Sequence, residues 1–216
     1  VAALQDARTP ILIHAYPDDL DKMAPECRRD AFCGKFSVMD MFHQCGIRFT
    51  ALPPHTVAPS SPTFAAHLDY FARVCRVVKT LRRLVVGAVG ARTTAFKTVR
   101  IDETALQRHG ITMETFDLSD VFARMRAVDP SSEAYRGRAA FLKDYGDWSA
   151  APAQALDRLA RLGAALDALR REYALDALAI RCWMEMQQEL GISPCVLLSA
   201  FNDGGVPAAC EVDAGN

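Results

Sequence analysis

Short apolar runs of strand length alternate along this chain with longer stretches of helical periodicity, and that alternation restricts the fold to parallel α/β architecture. Residues 84–90 give the clearest strand, running into a glycine turn. Residues 11–15, 47–52, 111–118, 175–182 and 206–210 read as further strands. Between them, helices are expected over residues 36–45, closed by Gly46, and over 63–81, where Phe64, Leu68, Phe71, Val74 and Val78 fall near helical spacing. A short helix opens at Asp102-Glu103 and ends at Gly110. Ser119-Asp120 caps another over 121–128, and a long Leu/Ala-rich helix covers 152–173. Two more cover 184–190 and 194–201, and residues 129–151 read as polar and irregular.

The expected fold class is α/β with doubly wound parallel sheets. Pro53-Pro54 stops one strand, and residues 55–62 are rich in Pro and Ser, which places a boundary near residue 60. Residues 1–60 then read as the C-terminal part of a first α/β domain, and 61–216 as a second one, incomplete at its C-terminus. The chain starts at Val1 and stops soon after a strand-like run, so a piece of a larger multidomain protein is expected.

With 25 basic and 26 acidic residues spread along the sequence, there is no clustered basic footprint for nucleic acid. No apolar run approaches the length of a membrane span, and no secretory leader pattern opens the chain. A cytoplasmic location is expected. The seven cysteines form no C-x-x-C pair, so they read as buried thiols of a reducing compartment, with no zinc site among them. The five histidines have no metal-ligand spacing, and no G-x-S-x-G elbow is present.

Ligands of open α/β sheets gather at the carboxyl ends of strands. Three such ends carry unusual residues. At Gly87-Ala88-Val89-Gly90-Ala91-Arg92, glycines admit a close ligand and Arg92 suits an oxygen-rich one; the same residues read equally as a tight strand–helix turn. At Arg181-Cys182-Trp183, guanidinium and indole suit a sugar, or else Trp183 packs the sheet and Arg181 pairs with a carboxylate. At Cys210-Glu211-Val212-Asp213, two carboxylates share a side if the strand continues, and either serves a divalent cation or a proton transfer; an ordinary acidic loop has the same composition.

Taken in order, the segment from Leu84 to Phe96, Asp102-Glu103, Leu106-Gln107-Arg108-His109-Gly110-Ile111, Phe116-Asp117-Leu118, Arg181-Cys182-Trp183, Pro194-Cys195, Gly204-Gly205-Val206-Pro207 and Cys210-Glu211-Val212-Asp213 resembles the second α/β domain of the L-fucose/L-arabinose isomerase-like family. Asp30-Ala31-Phe32-Cys33-Gly34 resembles the end of that family's first domain. The resemblance implies flavodoxin-like domains and a metal-dependent aldose–ketose isomerase acting on a monosaccharide, with a manganese ion and a homo-oligomeric assembly. It implies that Glu211 is both metal ligand and acid/base, that Asp213 supports it, and that Arg181, Trp183 and Arg92 contact sugar. The family's other metal ligands, an Asp and a His, are expected beyond Asn216, so the chain alone is expected to be inactive. The alternative is a non-catalytic sugar- or solute-binding α/β protein.

Overall fold

A computed structural model describes residues 2–5 and 9–215. They fall into two compact units that divide between Thr80 and Leu81, at the far end of the helix whose start lies near the expected boundary at residue 60.

The first unit contains α1 (Ala2–Gln5), α2 (Ala31–Gln44) and α3 (Pro62–Leu81). The expected strands 11–15 and 47–52 approach in parallel but form only single bridges, Leu12 to Thr50 and Ala15 to Thr56. Thr50 N donates to Ile11 O at 2.8 Å and Ile13 N to Thr50 O at 2.9 Å. The hydrophobic pattern thus sets direction and register without a continued ladder. His14 is satisfied locally: its Nε2 meets the carbonyl of Val57 and its ring lies 4.3 Å from that of Phe64. Lys35 is buried and donates to His55 O at 2.9 Å, and desolvation holds its ammonium below the usual lysine range.

The second unit is an open parallel sheet with strand order β2-β1-β3-β4. Its elements in chain order are β1 (Val85–Val89), a 3₁₀ turn (Lys97–Val99), α4 (Glu103–Arg108), β2 (Thr112–Phe116), α5 (Leu118–Ala127), α6 (Glu133–Tyr145), α7 (Ala155–Tyr173), β3 (Ala177–Ile180), α8 (Glu185–Leu190), α9 (Cys195–Asp203) and β4 (Ala208–Cys210). β1 lies between β2 and β3, and all three pairings are parallel. This is the α/β class that the alternation requires.

Side-chain period fixes the two faces of this sheet. Leu178 and Ile180 face a large core built with Leu159, Leu162, Leu166 and Leu169 of α7, Leu142 of α6, Val121 and Met125 of α5, and Leu197 and Phe201 of α9. Leu162, Leu166 and Leu169 are fully buried, and each such side chain contributes about 2–3 kcal/mol of transfer free energy. Ala177 and Ala179 point the other way, into a small cluster with Val86 that Leu84, Ile111, Met113, Ala209, Val212 and Ala214 complete.

Two elements depart from expectation. α6 occupies the segment read as irregular, because its buried side is a single residue, Leu142, among charges. Ser132 caps it by accepting from Tyr135 N at 3.2 Å. α5 starts at Leu118, with Asp117 and not Ser119 in the capping position.

Candidate functional site

The order β2-β1-β3 means that the chain leaves β1 to one side and returns to the other, so the crevice of an open sheet belongs at the carboxyl ends of β1 and β3. The structure places Arg92, Arg181 and Trp183 there. Gly90 ends β1 with φ of +84°, and a Cβ on it would sit 3.0 Å from both Arg181 Cβ and Leu118 Cγ. The position therefore requires glycine for both its backbone angle and its neighbours.

The arginines at this crevice are engaged by groups around them, backbone carbonyls and, for Arg181, the Glu185 carboxylate. Arg181 Nε donates to Trp183 O at 2.7 Å, Nη1 to Ala91 O at 3.3 Å, and Nη2 to Glu185 Oε1 at 2.6 Å. One side chain thus ties the end of β1 to the turn after β3 and to the start of α8. Arg92 turns back on its own loop, its Nη1 facing the carbonyls of Thr93, Thr94 and Phe96 at 3.2–3.4 Å. Trp183 is 46% exposed. Its ring centroid is 5.3 Å from that of Phe96, and its carbonyl accepts from Thr93 Oγ1 at 3.4 Å.

A cavity of about 340 Å³ opens beside this crevice, lined by Gly90, Arg92, Arg100, Glu103, Thr115 and Val212 among others. Its size is that of a small-molecule site. Arg181, Trp183 and Glu211 do not line it, whereas Val212, the neighbour of Glu211 in sequence, does.

β4 is aimed by a residue that sequence reading passed over. Asn202, in the last turn of α9, donates to Leu198 O at 2.9 Å and to Ala208 O at 2.8 Å, and accepts from Ala208 N at 3.1 Å. An Asn before a Gly-Gly turn is the only local signal for such a clamp.

The strand ends at Cys210. Glu211 and Val212 both take left-handed angles, φ of 61° and 59°, which are uncommon for any side chain and strained for a β-branched one. Asp213 N donates back to Cys210 O at 3.0 Å. The strand does not continue, so the two-residue alternation expected to put Glu211 and Asp213 on one side does not apply.

This turn folds the Glu211 carboxylate toward the end of β3. Its Oε1 accepts from Cys182 Sγ at 2.7 Å and lies 3.8 Å from Cys210 Sγ. Its Oε2 is buried and has no hydrogen-bond partner among the described residues. An orphaned carboxylate oxygen of this kind carries a desolvation cost unless a cation or a proton donor meets it. Burial first, then its hydrogen bond to Glu211, pushes the Cys182 thiol well above its ordinary range. Burial also raises that of Cys210.

Cys195, at the start of α9, completes a group: the sulfur atoms of Cys182, Cys195 and Cys210 all lie within 4.8 Å of one another. This corrects the expectation that no metal-competent cysteine set exists. Spacings of 13 and 15 residues carry no sequence signal for it.

Fold and site together define an α/β protein with a cavity of small-molecule size and a half-buried acidic turn at its strand ends. Residues 1–82 match the model of the N-terminal domain of fucose/sulfoquinovose isomerases. That match stops two residues past the division after Thr80. The chain is 28% identical over 141 residues to a sulfoquinovose isomerase from Priestia aryabhattai, and equally to one from Priestia megaterium, an alignment covering 65% of this chain and 31% of each relative. It is 29% identical over 161 residues to a sulfoquinovose isomerase from Alkalicoccus urumqiensis, covering 72% of this chain and 35% of the relative. The resemblance to L-fucose isomerase-like proteins is therefore borne out. The chain spans about a third of the length of the curated relatives it matches. No helix among the described residues is long and apolar enough to cross a membrane.

Proposed function

We propose that this chain is part of a metal-dependent aldose–ketose isomerase whose Glu211 carries a share of the chemistry. The observation behind the proposal is the buried Oε2 of Glu211, without a hydrogen-bond partner among the described residues and set at a strand end beside a crevice, in a chain similar to sulfoquinovose isomerases.

Aldose–ketose exchange moves a proton between C1 and C2 through an enediol, and it needs a base within hydrogen-bond reach of the carbon-bound proton. The Glu211 carboxylate is such a base. Cys182 fixes its orientation through Oε1, which leaves Oε2 for substrate or cation. One oxygen of this kind fits a single position of a hard divalent cation such as Mn²⁺; the remaining ligands are not among the described residues. When bound, such a cation steadies charge on substrate oxygen. Asp213 supports the site from the turn that its backbone N–H closes. Arg181 holds the crevice wall, Arg92 lines the neighbouring cavity, and Trp183 offers an exposed indole face to a sugar. A homo-oligomer and a cytoplasmic location accompany this reading.

The test uses the full-length protein, stripped of metal and reloaded with manganese. It is incubated with L-fucose, L-arabinose, sulfoquinovose and related aldoses, and ketose formation is measured. Manganese-dependent conversion that disappears in Glu211→Gln supports the reading. Sugar binding without conversion, indifferent to a chelator, contradicts it.

A further inference from the structure

Cys182 follows β3, Cys195 opens α9 and Cys210 closes β4, so three separate elements deliver one sulfur each to the same place. Glu211 brings a carboxylate against two of them. We propose that Cys182, Cys195, Cys210 and Glu211 form a binding site for a thiophilic divalent cation of the zinc class, with three thiolates and one carboxylate oxygen as its four ligands.

The geometry is close to what such an ion demands. A Zn–S bond of about 2.3 Å sets tetrahedral sulfur–sulfur edges of about 3.8 Å. The three sulfurs already lie within 4.8 Å of one another, so no separation needs to close by more than about 1 Å to reach that edge. Two of the anchors sit at the ends of hydrogen-bonded neighbouring strands, with Ile180 paired to Cys210. Cys195 is exposed, whereas Cys182 is 3% exposed. The ion therefore enters from the Cys195 side and is held on a dry floor.

The donor set also selects the ion. Three sulfurs favour soft or borderline cations over Mg²⁺ or Mn²⁺, which prefer oxygen. Binding deprotonates each ligating thiol, and these protons pass to solvent, so uptake weakens as pH falls. The unpartnered Oε2 of Glu211 gives the carboxylate a free donor to turn toward the ion. The site itself does not depend on the isomerase reading. One consequence does: an ion held here engages the Glu211 carboxylate and so inhibits manganese-dependent turnover.

The test is a cobalt titration of the reduced full-length protein under inert gas. The expected result is near-ultraviolet sulfur-to-cobalt charge transfer and intense tetrahedral visible bands, saturating at one cobalt per chain and bleached by Zn²⁺. Cys195→Ser, at an exposed position, should keep the native circular dichroism and weaken Zn²⁺ binding at least ~10-fold in a competition with a chromophoric chelator, as loss of a ligand requires. Cys195→Ser/Cys210→Ser should lose the charge-transfer band. Absence of that band in the parent protein, or its survival in the double variant, overturns the site. Turnover is read on the manganese-loaded, cobalt-free protein: activity there with no band on cobalt titration defeats this site and leaves the isomerase reading, and a band on titration with no activity in the cobalt-free protein does the reverse.

Discussion

The ends of β3 and β4 are neighbours in one sheet, yet their polar groups are treated in opposite ways. Beyond β3, each nitrogen of the Arg181 guanidinium has a partner: a carbonyl on either side of the crevice and the Glu185 carboxylate. Beyond β4, the Glu211 carboxylate has one oxygen engaged by a thiol and the other buried without a partner among the described residues. A satisfied charge stiffens the place where it sits. An unsatisfied one costs stability, and its retention points to work at that position. The left-handed angles at Glu211 and Val212 add strain at the same turn.

That contrast can be broken by mutation. The largest effect is expected for Glu211→Gln, which should lower isomerase turnover by at least ~100-fold, the scale of lost acid–base catalysis, while thermal unfolding stays near that of the parent. Asn202→Ala removes the clamp that aims β4. It should cost about 2–3 kcal/mol in denaturant unfolding, since three hydrogen bonds are lost and backbone groups of Ala208 lose their partner. Arg181→Met should cost about 2 kcal/mol by the same measurement, the worth of three partly exposed hydrogen bonds including a charged one. Phe96→Ala removes the ring beside Trp183 and should cost about 1 kcal/mol, with a matching change in tryptophan fluorescence.

A chemical contrast accompanies these. In the reduced, metal-free protein, a neutral alkylating reagent should modify Cys27, Cys33 and Cys195, which are exposed, before Cys182, which is buried. Mass mapping of the modified peptides reads the order directly. Early labelling of Cys182 would mean that the floor of the acidic turn is open.

The parts of the fold that were legible in sequence are those where one face of an element meets a large core. α7 announces itself because Leu159, Leu162, Leu166 and Leu169 repeat along a single side. β1 and β3 do so because both of their faces are apolar. α6 was hidden because one buried leucine in thirteen residues leaves no period to read, although Ser132 followed by Glu133 marks its start. The expected strands of the first unit kept their parallel direction but not their length, because only isolated pairs such as Leu12 and Thr50 meet.

The site divides along the same line. Arg92, Arg181, Trp183 and Glu211 were legible as candidates because each follows an apolar strand, where ligands of such sheets collect. Their partners were not. That Arg181 spans to Ala91, or that Asn202 holds Ala208, depends on which strands are neighbours, and spacing along one segment does not contain that information. The same holds for the three cysteines, which meet only after β3, α9 and β4 have packed. The condition for Glu211 and Asp213 to share a side, a continuing strand, is not met for a local reason: two consecutive left-handed residues follow Cys210, and neither is a glycine that would have marked the turn.

The division of labour between the two strand ends is tested most directly by measuring manganese-dependent ketose formation per folded molecule for Glu211→Gln beside Arg181→Met. A silent, stably folded Glu211→Gln next to an active but less stable Arg181→Met is the predicted result. Full activity in Glu211→Gln at normal metal content, or a stable but inactive Arg181→Met, would contradict it.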